Sequence, residues 1–139
     1  MADFNGMART NTFRVKDKEA FLSAISVFDL EVQWRTLKDG AEGVCLITND
    51  EYGSWPGYWC DDDGDEHESD WVALLSEHLV DGEVAIINEA GHEKARYVSG
   101  WSLAIHSSGK AEQISLNDIY EKAAASFGVP VDAISECSY

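Results

Sequence analysis

The sequence predicts an α+β fold: a mostly antiparallel sheet with about three helices, in a single domain over residues 1–139. Three observations predict it. Segments that alternate apolar and polar residues recur along the chain, joined by short glycine-containing turns, which is the pattern of hairpins rather than long crossovers. Three other segments carry apolar residues at helical spacing behind an Asp or Ser cap. The 139 residues are 45% hydrophobic with five Trp, five Tyr and five Phe, enough for one core, and neither a repeat nor a linker divides them.

The elements follow in order. In "TNTFRVK", Phe13 and Val15 alternate with Arg14 and Lys16, which reads as a strand. Asp17 can cap a helix whose apolar stripe is Phe21, Ala24, Ile25 and Phe28. "LEVQWRTL" turns Leu30, Val32 and Trp34 inward, Asp39-Gly40 begins a turn, and "GVCLITND" returns as a strand. Gly53, Pro56 and Gly57 break the next stretch into a loop or a short bent edge strand. Ser69 or Asp70 caps a second helix, with Trp71, Leu74, Leu75, His78 and Leu79 as its stripe and Asp81-Gly82 as its end. "EVAIINEA" is a strand, Gly91-His92 a turn, and "ARYVSGWSLAIHS" a long strand with a bulge expected at Gly100. Ser108-Gly109 turns the chain into "KAEQISL". Ser115 and Asp118 suggest a capping box for a last helix lined by Ile119, Tyr120, Ala123 and Phe127, stopped by Gly128 and Pro130. The tail to Tyr139 is expected to dock as one short turn.

The charge is unevenly distributed. The chain carries 26 acids and 10 bases, a net −16. The segments before Asp39 and after Glu93 cancel one another, and the 55 residues from Asp39 to Glu93 hold sixteen acids and no Lys or Arg. Solubility needs only about 2–8 net charges in a small domain, and a larger excess opposes folding by self-repulsion. Either a solubility adaptation or a basic partner accounts for the excess. The densest part is "EYGSWPGYWCDDDGDEHESDW", residues 51–71, where aromatics precede seven carboxylates within ten residues.

Several chemistries fit poorly. Placing Gly64 at position 6 of a calcium loop puts Trp59 at position 1, and starting at Asp61 puts Val72 at position 12. His67, His78, His92 and His106 share no helix turn and form no HExxH, so no metal site is expected; His78, beside the apolar stripe of its helix, reads as a boundary residue. No nucleophile elbow, phosphate loop or dinucleotide fingerprint occurs, so no catalytic residues and no cofactor are expected. Direct nucleic-acid binding is disfavoured because few bases are present to neutralise phosphates. Cys45, Cys60 and Cys137 are odd in number and lack metal-ligand spacing, which reads as free thiols in a reducing compartment. No apolar run reaches the ~18 residues of a membrane span, and the first residues lack a leader pattern, so a cytoplasmic location with no membrane partner is expected.

The opposite arrangement fits better: a surface that imitates nucleic acid. A domain of this length is about 35–40 Å wide, a span over which duplex DNA carries on the order of 20 phosphates. The expected contact set is Trp55, Tyr58 and Trp59 for packing and Asp61, Asp62, Asp63, Asp65, Glu66, Glu68 and Asp70 for charge. For the three aromatics, a place in the core is an equal alternative. For the acids nearest the second helix, a favourable position at its N-terminus explains one or two.

In size, charge and the Asp39–Glu93 block the chain resembles the small acidic inhibitors of host defence carried by phages and mobile elements, the DNA-mimic type of anti-CRISPR and anti-restriction protein. "ARTNTFRVKD" from Ala8 and "GEVAIINEAGHEKARYVSG" from Gly82 have the look of mobile-element proteins. The resemblance implies a non-enzymatic inhibitor whose partner is a basic protein surface, that of a nucleic-acid-binding defence protein or complex. An immunity or adaptor protein for a basic toxin or regulator is the first alternative, and a metal-binding protein or enzyme the second.

Overall fold

The computed structural model describes residues 4–94 and 96–137. Its elements run β1 (Phe4–Thr10), α1 (Lys18–Ile25), β2 (Leu30–Thr36), β3 (Glu42–Thr48), β4 (Tyr58–Cys60), β5 (Glu66–Glu68), α2 (Trp71–His78), β6 (Val84–Glu93), β7 (Tyr97–His106), β8 (Ala111–Ser115) and α3 (Asp118–Phe127), with a 3-10 turn at Val131–Ala133. Six strands form one antiparallel sheet in the order β2-β3-β1-β6-β7-β8, and β4 and β5 form a separate two-stranded hairpin. The fold is α+β, as the alternation predicts.

Alternation along the strands sorts the sheet into two faces. Ala8 and Thr10 of β1, Val44 and Leu46 of β3, Ala85 and Ile87 of β6 and Ile105 of β7 are buried, with Phe21 and Ile25 of α1 and Trp71 and Leu75 of α2 packed among them. Asp17 caps α1 by accepting the N–H groups of Glu19 and Ala20, as its sequence position suggests. The helix ends at Ile25, so Phe28 reaches the same core from the following turn. Two threonine hydroxyls are the polar exceptions on the buried face, and both are satisfied: Thr10 accepts from Leu46 N–H and donates to the Asn11 carbonyl, and Thr48 accepts from Asp50 N–H and donates to the Ser54 carbonyl.

The first strand lies earlier than "TNTFRVK". β1 pairs along its length with β6, while Phe13 and Val15 make only isolated bridges to Val44 and Leu79. The sequence of β1, FNGMART, shows no clean apolar alternation, and Gly6 lies in mid-strand. Gly6 faces Gly91 across the ladder, and a Cβ on either would meet the Phe4 ring at 2.5 Å. An aromatic ring laid over paired glycines compensates for their missing side chains. Gly91-His92 is therefore not a turn; β6 continues to Glu93, and Lys94 takes the positive φ instead. No bulge occurs at Gly100, because the β6–β7 register is unbroken from Val84↔His106 to Glu93↔Tyr97. The glycine is accounted for by Leu116, which lies 3.3 Å from where its Cβ would stand.

The last helix departs furthest from expectation. Of the stripe Ile119, Tyr120, Ala123 and Phe127, Phe127 is 75% exposed and Ile119 60%. Among the described residues of α3 only Ala124 is buried. Asn117 occupies the cap position without a side-chain hydrogen bond, and Asp118 instead accepts Ser115 N–H at 2.7 Å, half of the expected capping box. Tyr120 accepts the Cys137 N–H, so the tail docks back on α3. Ala95, Ser138 and Tyr139 lie outside the described residues. Among the described residues no helix is long and apolar enough to cross a membrane.

Candidate partner-binding hairpin

The acidic stretch folds as a hairpin. Tyr58 pairs with Glu68, Trp59 with His67 and Cys60 with Glu66. Three residues, Asp62, Asp63 and Gly64, lie beyond the Asp61–Asp65 pair, where Asp61 N–H donates to the Asp65 carbonyl at 2.9 Å. Gly64 has φ +84. A three-residue loop ending in a left-handed glycine is a standard hairpin connection. The glycine that fits neither calcium register thus has a turn to make. The signal was present in the sequence as two short runs around a loop containing Gly.

Asp61 holds that turn. Its Oδ1 accepts the N–H groups of Asp63 and Asp65 at 3.0 and 2.9 Å, and its Oδ2 accepts His67 Nε2–H at 2.8 Å. The hydrogen bond from His67, followed by that from Asp65 N–H, holds the Asp61 carboxyl below its usual pKa. Asp61, Asp63 and Asp65 each offer an oxygen within 4.8 Å of the others and could jointly hold a cation. Turn geometry already accounts for their closeness.

A lowered folded-state pKa stabilises the turn above the unfolded value and is lost as pH falls through the folded one. The Trp59 indole resonance, reporting the ring stacked on His67 at 4.5 Å, is therefore expected to move as the pH falls below the ordinary carboxylate range of about 4. In Asp61→Ala it is expected to be displaced at neutral pH already. An unchanged acid profile in that variant would show that Asp61 does not hold the turn.

The hairpin is fastened at its root. Ser69 N–H donates to the Gly57 carbonyl, and Trp71 Nε1–H to the Pro56 carbonyl, both at 2.8 Å. Trp71 packs on Trp55 at 5.0 Å and on Phe28 at 4.6 Å. Trp55 N–H donates to Glu89 Oε2. Asp70 caps α2 by accepting Ala73 N–H; Ser69 does not. Trp55 is only 8% exposed. It is a core residue and leaves the expected contact set, because the hairpin root closes over it. Trp55 Nε1 and Ser69 Oγ are buried without a partner among the described residues, and Ser69 lines an open cleft of about 500 Å³ with Glu68, Asp70, Trp71, Val72 and Leu103.

Strand alternation divides the rest. Trp59 is half-buried against the core, whereas Tyr58, Cys60, Glu66 and Glu68 share the opposite face. Tyr58 is 61% exposed. Glu66 and Glu68 therefore sit in β5 and not, as a helix N-terminal role would require, in the first turn of α2.

The structure also divides the base-free block. Arg14 makes a two-pronged pair with Glu83 at 3.2 Å for each prong, Lys18 pairs with Glu42 at 3.2 Å while lying over the Trp34 ring, and Lys16 approaches Asp81 at 3.9 Å. The Glu83 contact raises the Arg14 pKa further. Bases from the N-terminal segment thus oppose the acids at that end of the molecule. On the hairpin, Asp61 and Asp70 serve local structure, and Asp62, Asp63, Asp65, Glu66 and Glu68 are exposed with no side-chain partner among the described residues. His78, beside the stripe of α2, meets Phe21 edge-on at 5.9 Å as a boundary residue. No protein-family model, curated protein or solved structure matches the chain.

Proposed function

We propose that the chain is a non-enzymatic protein inhibitor that presents an acidic hairpin to the basic nucleic-acid-binding surface of a bacterial defence complex, of the restriction or CRISPR kind. The observation that carries this reading is the set of five unopposed carboxylates beside an exposed Tyr58 on a hairpin pinned at its root. Like-charged groups gathered without counterions raise the energy of the free protein, and a basic groove would relieve it. Two residues along a strand lie about 6.8 Å apart, so Glu66 and Glu68 set a fixed spacing of charge. Fixing the charges in advance lowers the ordering cost of binding. Tyr58 supplies the amphipathic anchor type enriched at interfaces.

The test is inhibition of DNA cleavage by a panel of purified restriction endonucleases and CRISPR effector complexes, titrated with competing duplex DNA and with salt. Inhibition is expected for at least one member, competitive with DNA and weakened by salt. The combined variant Asp62→Lys, Asp63→Lys, Glu66→Lys and Glu68→Lys is expected to weaken it by roughly 1,000-fold, at about 1 kcal/mol per reversed contact. Its thermal midpoint should hold or rise, since the four side chains are exposed and mutually repelling. Inhibition that survives both the reversal and high salt would exclude mimicry. Tight binding of a basic toxin that DNA does not displace would assign the chain to the immunity or adaptor class instead.

A further inference from the structure

Opposite the helices, the sheet is open across β1, β6, β7 and β8, whereas on β3 Cys45 is fully buried on that face. Register places Met7, Ala90, Gly100 and Leu116 in one transverse row across β1, β6, β7 and the end of β8, with Leu116 lying over Gly100. Met7 and Leu116 are about half exposed, and Val98 and Ile114, from neighbouring rows on the same face, are exposed by 59% and 62%. Two residues beyond Leu116, α3 begins and carries Ile119, Ala123 and Phe127 along one i, i+4 stripe. Helix stripe and sheet face are both uncovered, so neither covers the other within one chain.

We infer that the open sheet face and the α3 stripe are the two sides of one contact, made between two copies of this chain in a closed two-fold dimer. Area supports this. Six side chains, Met7, Val98, Ile114, Leu116, Ile119 and Phe127, expose on the order of 600 Å² of apolar surface, at the upper limit for monomers and near the ~800 Å² per partner of a standard interface. Charge supports it too. The segment from Lys94 onward holds five acids and four bases, and on β1, β6, β7 and β8 the charged side chains of this face are Arg9 and Glu112, with Glu31 and Arg35 farther off on β2. The acidic hairpin is rooted on the opposite, helix-bearing side through Trp55 and Trp71, so two copies can meet here without bringing their hairpins together. Strand addition at the β8 edge is the weaker geometry, because the Ser115 N–H is already taken by Asp118. The inference goes beyond the inhibitor reading and does not depend on it.

Sedimentation equilibrium of the full chain is expected to give a monomer–dimer equilibrium with a dissociation constant in the micromolar range or tighter. The double variant Ile119→Ala, Phe127→Ala is expected to weaken it by roughly 100-fold or more. Val98→Lys, on the sheet side of the same contact, should do likewise, while the four-lysine hairpin variant leaves it unchanged. All these positions are exposed, so circular dichroism should report a native fold in each. A wild-type chain that stays monomeric up to about 100 µM overturns the proposal, as does open-ended association. A chain that is monomeric yet loses a protein partner through the same α3 variant would assign the face to that partner, which also overturns it.

Discussion

Trp71→Ala is expected to lower folding stability by about 4 kcal/mol, a large part of the roughly 5–15 kcal/mol that holds a domain of this size together. Two effects combine. The indole fills the space between Phe28 and Trp55, and removing a buried Trp loses its transfer energy and leaves a cavity. Its N–H also satisfies the Pro56 carbonyl at the hairpin root, and that carbonyl would lose its partner. Urea denaturation followed by far-ultraviolet circular dichroism measures the loss. Trp71→Phe separates the terms, since it keeps most of the packing and removes the hydrogen bond, and it should cost roughly 1–2 kcal/mol. A loss below about 1 kcal/mol in the alanine variant would mean that the hairpin root does not depend on this contact.

Gly53→Ala is expected to be nearly as damaging, by about 3 kcal/mol, although it adds a single methyl group. Gly53 has φ +87, and a Cβ there would stand 1.9 Å from the Gly6 carbonyl oxygen. The strand cannot retreat freely, because Gly6 N–H donates to the Tyr52 carbonyl and Gly6 itself is paired with Gly91. Either the loop before the hairpin lifts or β1 shifts. Gly57→Ala is the control: its added Cβ would meet nothing within 4 Å, and its cost should stay within about 0.5 kcal/mol. Comparable destabilisation by the two substitutions would show that the approach of Gly53 to β1 is not what makes that glycine necessary.

These two positions show where sequence reading stopped. Trp71 could be placed in the core from the helical spacing of Trp71, Leu74, Leu75 and Leu79, a pattern local to one helix. Gly53 read only as a loop breaker. Its function depends on Gly6, 47 residues earlier, in a strand whose sequence, FNGMART, shows no clean apolar alternation. Gly91 reads as a turn residue because a glycine in a strand and a glycine in a turn look alike until the Phe4 ring across the ladder is seen. On the acidic stretch, the carboxylates and the three aromatics were all visible, but their division was not. Trp55 is in the core, Trp59 is half-buried and Tyr58 faces out.

By itself, the sequence determined the α+β class, the caps of α1 and α2, the β2–β3 hairpin, and the concentration of net charge between Asp39 and Glu93. All of these are set by residues close to one another in the chain, through period, turn chemistry and composition. Only the tertiary structure decided that Arg14, Lys16 and Lys18 oppose one end of that charge and leave the hairpin unopposed, and that the apolar stripe of α3 faces solvent. Those outcomes depend on which distant surfaces meet. An amphipathic pattern specifies that a helix has an apolar side, whereas whether that side is covered depends on where the chain leads it after β8.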